Sequence, residues 1–131
     1  MFRLIRSLKG NHQCEIVKLN ANGSLAVVYG SAVNGTSSGV AAPTATASPD
    51  FIVLDTVASG EQKKIDAIIV SEDMVFKVEY TGATPPYVGM SVGLSSLRGT
   101  MDAVTYNNSG KGTVIAVEEE DRKYVHVRFR K

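Results

Sequence analysis

His12 and Cys14 stand two residues apart, and the sequence holds one other histidine, His126, and no other cysteine. On a β-strand that spacing puts both side chains on one face, where they could form a nucleophile–base dyad or half of a metal site. A structural zinc needs about four ligands, and the pair supplies two. No orienting partner for a thiolate stands nearby in sequence. An ordinary strand thiol is the expectation. Gly110-Lys-Gly lacks the Lys-Ser/Thr ending and the strand–loop–helix setting of a phosphate loop. Glu72-Asp73 fits a solvated turn. The residues therefore predict no catalytic site, no cofactor and no metal.

A second place for chemistry is the C-terminal run GKGTVIAVEEEDRKYVHVRFRK. Tyr124, His126 and Arg128 could stack on bases, and such platforms lie in a positive groove that follows the nucleic-acid backbone. Here the basic residues follow four consecutive acids, Glu118 to Asp121, and the whole chain carries a formal charge of only +1. The simpler reading is a β-hairpin: Thr113 to Glu118 as one strand, a turn at Glu119 to Arg122, and Lys123 to Arg130 returning. On the return strand Val125, Val127 and Phe129 share one face, as a half-solvated antiparallel strand requires. Nucleic-acid binding is not expected.

Behind these candidates stands a chain of 131 residues, 44% apolar and 21% charged, enough for one domain with a sizeable core. A lone cysteine makes no internal disulfide, so the fold rests on packing. The start, MFRLIRSLKG, mixes basic and apolar residues, but Arg3, Arg6 and Lys9 interrupt any signal-peptide core. No run approaches the ~18 apolar residues of a membrane span, so a soluble protein made in a cytoplasm, with no membrane partner, is expected.

Short apolar or alternating runs recur between Gly, Asn, Ser and Pro. Cys14–Leu19 and Ser24–Tyr29 read as a hairpin turning at Asn20-Ala-Asn-Gly. Phe51–Val57 follows, then Lys64–Val70 and Met74–Tyr80 as a further pair. Val88–Leu94, with glycines at 89 and 93, suits a bent or bulged strand, and Gly99–Tyr106 adds another short one. Residues 30–50 are almost all small, with no charge before Asp50, and suit a long surface loop. No stretch has a helical pattern of a dozen residues. The prediction is an all-β single domain, a small barrel, β-tulip or sandwich over residues 11–131, preceded by an N-terminal arm over residues 1–10.

The small-residue segment after an early hairpin, the run PPYVGMSVGLSSLRGTMDAV and the closing GKGTVIAVEEEDRKYVHVRF together resemble the capsid decoration, or cement, proteins of tailed bacteriophages. The resemblance implies a β-barrel or β-tulip domain on the outside of a virion, bound to the major capsid protein, often as a homotrimer, with no chemistry of its own. A tail-tube or head–tail connector component is the alternative within a virion. A small barrel binding nucleic acid or a ligand in its mouth is the alternative from another class. The arm residues Phe2, Arg3, Leu4, Ile5, Arg6, Leu8 and Lys9 are expected contacts with capsid or neighbouring subunits, because a segment this apolar gains most by docking, and the Gly30–Asp50 loop is a second candidate for capsid contact. The competing expectation is that the arm packs back onto its own barrel as an edge strand.

Overall fold

A computed structural model describes residues 1–7, 15–22, 25–121 and 123–131. His12, Cys14, Leu8 and Lys9 lie outside the described residues, as does Ser24 of the expected first hairpin. The described residues form eleven strands and no helix. The first five are β1 (Arg3–Ser7), β2 (Ile16–Asn22), β3 (Ala32–Thr36), β4 (Gly39–Ala41) and β5 (Phe51–Val53). Then come β6 (Gln62–Ile69), β7 (Met74–Tyr80), β8 (Ser91–Ser95), β9 (Ala103–Tyr106), β10 (Gly112–Val117) and β11 (Tyr124–Phe129). The all-β prediction holds.

Five strands close into a barrel in the order β7-β11-β10-β8-β9, with β9 returning to pair in parallel with β7. β7 accepts two partners on one edge. β1 pairs along its first half, Ser7 opposite Met74 and Leu4 opposite Phe76, and β9 along its end, where Val104 faces Tyr80. The chain start is thus the barrel's edge strand and not a projecting arm. The cause is Phe2, which is 2% exposed. It lies 6.2 Å from Phe76 and 5.8 Å from Phe129 between ring centroids, and those two rings are 6.4 Å apart. Val125, Val127 and Phe129 are buried as their alternation predicts.

The second sheet has the order β2-β6-β5-β3-β4. Successive residues on its middle strands serve two cores. Ala32, Ile52 and Ile68 join the barrel's cluster, while their neighbours Val33, Val53 and Ala67 join a second cluster with Val27, Val57 and Ile65. Register enforces this, since Ala32 sits opposite Ile52 and Ile52 opposite Ile68. Both faces of this sheet are apolar, one on the barrel and one on its own core.

Several expected pairings are corrected. β2 pairs with β6 and not with Ser24–Tyr29, whose described part makes an isolated β-bridge from Val27 to Val57. β6 and β7 belong to different sheets. Residues 30–50 are not one loop: β3 and β4 form a hairpin turning at residues 37–38, held by Asp50, whose carboxylate accepts the Gly35 N–H at 3.0 Å. Small residues suffice here because the backbone ladder supplies the order that side-chain bulk does not.

Two glycines mark close approaches. Gly30 has a φ of +84°, donates its N–H to Val53 O at 2.8 Å and accepts from Phe2 N–H at 2.7 Å; a Cβ would overlap Met1. Gly93 carries no bulge: its strand pairs regularly, and a Cβ would strike Ala45 O from the segment laid across β8. The bulges fall instead between Leu4 and Arg6 and between Val114 and Ala116.

Truncating either end of the aromatic cluster tests this account of the chain start. Phe2→Ala and Phe129→Ala should each lower stability by about 3–5 kcal/mol in chemical denaturation. A cost for Phe2→Ala below about 1 kcal/mol would return the chain start to a free arm.

Candidate interaction surfaces

The predicted contact residues divide. Phe2 is committed to the barrel core, and Leu4 packs against it. Arg3, Ile5 and Arg6 are exposed on the edge strand, Ile5 with 39% of its surface. Among the described residues no three His, Cys, Asp or Glu side chains gather as a metal cluster, and no helix is long and apolar enough to cross a membrane.

Ionic groups concentrate around the barrel junction. Arg98 binds Glu79 through two guanidinium nitrogens, at 2.8 and 3.0 Å, and reaches Asp102 at 3.1 Å. The amine of Met1 donates to Asp102 O at 2.5 Å and lies 3.3 Å from Glu79. Asp102 is nearly inaccessible and also accepts the N–H groups of Leu97 and Arg98. Its burial works to raise its pKa, yet these donors and the guanidinium prevail and hold it below the ordinary carboxylate range. The Arg98 bonds likewise lower Glu79 against the opposing effect of burial. On the neighbouring face Glu118 is shared by Lys77 at 3.2 Å and His126 at 3.0 Å, which together lower its pKa. Glu118, the first of the acids after β10, thus answers Lys77 on β7 and His126 on β11, as a hairpin reading of that run implies.

Three stretches of the chain carry no charged residue of their own. Residues 19–49, 80–97 and 103–110 contain no Asp, Glu, Lys, Arg or His. The fold gathers parts of all three. Leu94 N–H donates to Ala45 O at 2.9 Å, and Asn107 N–H to Ser91 O at 3.1 Å. Tyr80 anchors the 81–87 loop by donating its hydroxyl to Thr84 O at 2.5 Å. Of the seven large apolar side chains exposed among the described residues, five lie in these runs: Tyr29, Tyr87, Val88, Leu97 and Tyr106. Val88 is 67% and Tyr87 53% exposed, on a loop stiffened by two prolines. The gaps in charge were visible in the sequence; that they converge was not.

Between the 25–27 segment, β3, Ala42 and the β8–β9 loop opens a cleft of about 120 Å³. No family model, no curated protein and no solved structure matches this chain.

The junction predicts a pH dependence. Folding depresses the Asp102 and Glu79 pKa values, so their stabilisation is complete above the ordinary carboxylate range near pH 4 and fades as the pH falls toward the folded values. Asp102→Asn should cost about 1–3 kcal/mol at neutral pH, because it weakens the bonds from two backbone donors and a guanidinium. In acid, below the ordinary carboxylate range, the gap from wild type should narrow. An equal loss at both pH values would show that the charge of Asp102 contributes nothing.

Proposed function

We propose that this protein is a structural component of a phage virion that coats the outside of the capsid and bridges subunits of the major capsid protein, without catalysis. The observation that carries the reading is the charge-free tract bearing Tyr87, Val88, Leu97 and Tyr106. The cores of protein–protein interfaces are depleted of charge and enriched in tyrosine. Burying such a tract against a protein lattice spares the desolvation of ions that would oppose docking. The compact barrel and the resemblance noted in the sequence support the same reading. Copies arranged as a homotrimer would present several such tracts to the lattice at once, so modest contacts add through effective concentration. Assembly on the capsid places the protein in the virion, after synthesis in the host cytoplasm.

The test is co-sedimentation of purified protein with capsid shells assembled from the major capsid protein of the phage from which the chain derives, followed by electron microscopy. A regular array on the shell surface is the expected result. A ring or tube at one vertex would assign the protein to the tail or connector instead. Failure to sediment with shells, or salt-sensitive binding to single-stranded DNA, would overturn the proposal.

Within the tract, Tyr87→Ser with Val88→Ser should leave the melting temperature within about 2 °C, since both side chains are exposed. Shell binding should fall by about tenfold or more if the 81–90 loop lies in the contact. Unchanged binding would move the contact off this loop.

A further inference from the structure

The 120 Å³ cleft lies in the seam where the second sheet meets the barrel, and its walls include Leu25, Val27, Val33, Ala42 and Met101. Three hydroxyls also line it, and each is already engaged. Ser31 and Thr100 share a 2.8 Å hydrogen bond, and Ser31 Oγ accepts the Val28 N–H at 3.3 Å. Ser96 Oγ accepts the Gly99 N–H at 3.0 Å. The lining therefore offers water few free partners. A dry apolar cavity of about 150 Å³ holds one benzene molecule, so this space matches one aliphatic or aromatic group.

The rim narrows the choice of guest. Ala26 and Ala42 are exposed, Leu97 beside the mouth is 48% exposed, and the runs 19–49 and 80–97 supply no charge. A charged or strongly polar ligand would find no counter-ion in those runs. A protein surface presenting one apolar side chain would fill the socket and cover an uncharged rim, the arrangement of an interface anchor and its surround.

We propose that this seam cleft is a socket for a single apolar side chain, of about leucine or phenylalanine size, presented by the protein on which the chain docks. The occupant rests on the capsid-coating reading; the socket itself does not. Alanine on both lips leaves the socket open, and a ring from either lip would close it without entering the core.

Methyl NMR with benzene as a side-chain surrogate tests the socket in the intact chain. Saturable shifts should appear at Val27, Val33 and Met101, and Ala42→Phe or Ala26→Phe should abolish them while the melting temperature holds. Absence of saturable shifts in the wild type overturns the socket. Co-sedimentation with capsid shells tests the occupant. The lip variants should weaken binding by about tenfold, and Lys64→Ala on β6 should change it less than about twofold. Benzene binding with full shell binding by both lip variants would assign the socket to a free small molecule and overturn the side-chain guest. Wild-type protein that ignores shells removes this occupant together with the proposed function, while the benzene titration still decides whether the socket takes an apolar guest.

Discussion

The contact among Phe2, Phe76 and Phe129 joins the start, middle and end of the chain, and barrel closure depends on it. β7 must pair with β11 on one edge and, on the other, with β1 and then β9. The rings lie inside this meeting of strands, with edge-to-face and tilted geometries that aromatic pairs favour. Outside it, Met1, Glu79, Arg98 and Asp102 close the point where β1 gives way to β9. The two seals are unequal. Each buried ring is worth about 1.5–3 kcal/mol through area alone, whereas pairs made by exposed guanidinium groups are screened by water and salt. The ionic junction fixes where the strands meet; the rings supply most of the reason they stay.

The second sheet depends on this barrel in turn. Its middle strands place Ala32, Ile52 and Ile68 against the barrel and Val33, Val53 and Ala67 against a smaller core. Neither layer is separable, because exposing the Ile52 face would uncover apolar surface on both. Gly30 is the hinge of the arrangement, tied at once to Phe2 and Val53. Its left-handed backbone lets the chain turn where a side chain would collide with Met1.

This double burial also explains what the sequence disclosed. β11 and the end of β7 have one solvated face, so Tyr124–Phe129 and Phe76–Tyr80 alternate and could be placed from their residues alone. Phe51–Val53 and Ala67–Ile69 are buried on both faces and read as continuous apolar runs, which announce a strand but not its partner. Partner choice for β2 is set by β6, forty or more positions on in the chain, and no local turn signal encodes it. β3 and β4 hid among small residues because backbone bonds hold them. β1 hid because five residues with two arginines look like a tail until Phe76 and Phe129 provide a place for Phe2. The candidate surface was legible only in part, as the missing charge before Asp50 in residues 30–50; long-range pairing had to join that segment to the other uncharged runs.

A formal charge of +1 conceals a strong asymmetry. Ion pairs such as Lys18–Asp66, Lys63–Asp55 and Lys77–Glu118 decorate β2, β6, β7 and the end of β10, and the first of them borders the charge-free run 19–49. Such a charged, mixed-sign surface keeps a protein soluble and resists close approach of unrelated surfaces. The exposed apolar side chains of the uncharged runs have the opposite property, since they can be covered without stripping water from ions. On the proposed reading the two kinds of surface divide the labour of a coat protein: one faces solvent and the other the lattice. The same division accounts for tolerating exposed Tyr87 and Val88 on an uncharged loop. Orientation on a lattice then follows from where charge is absent, and no net field is needed to set it.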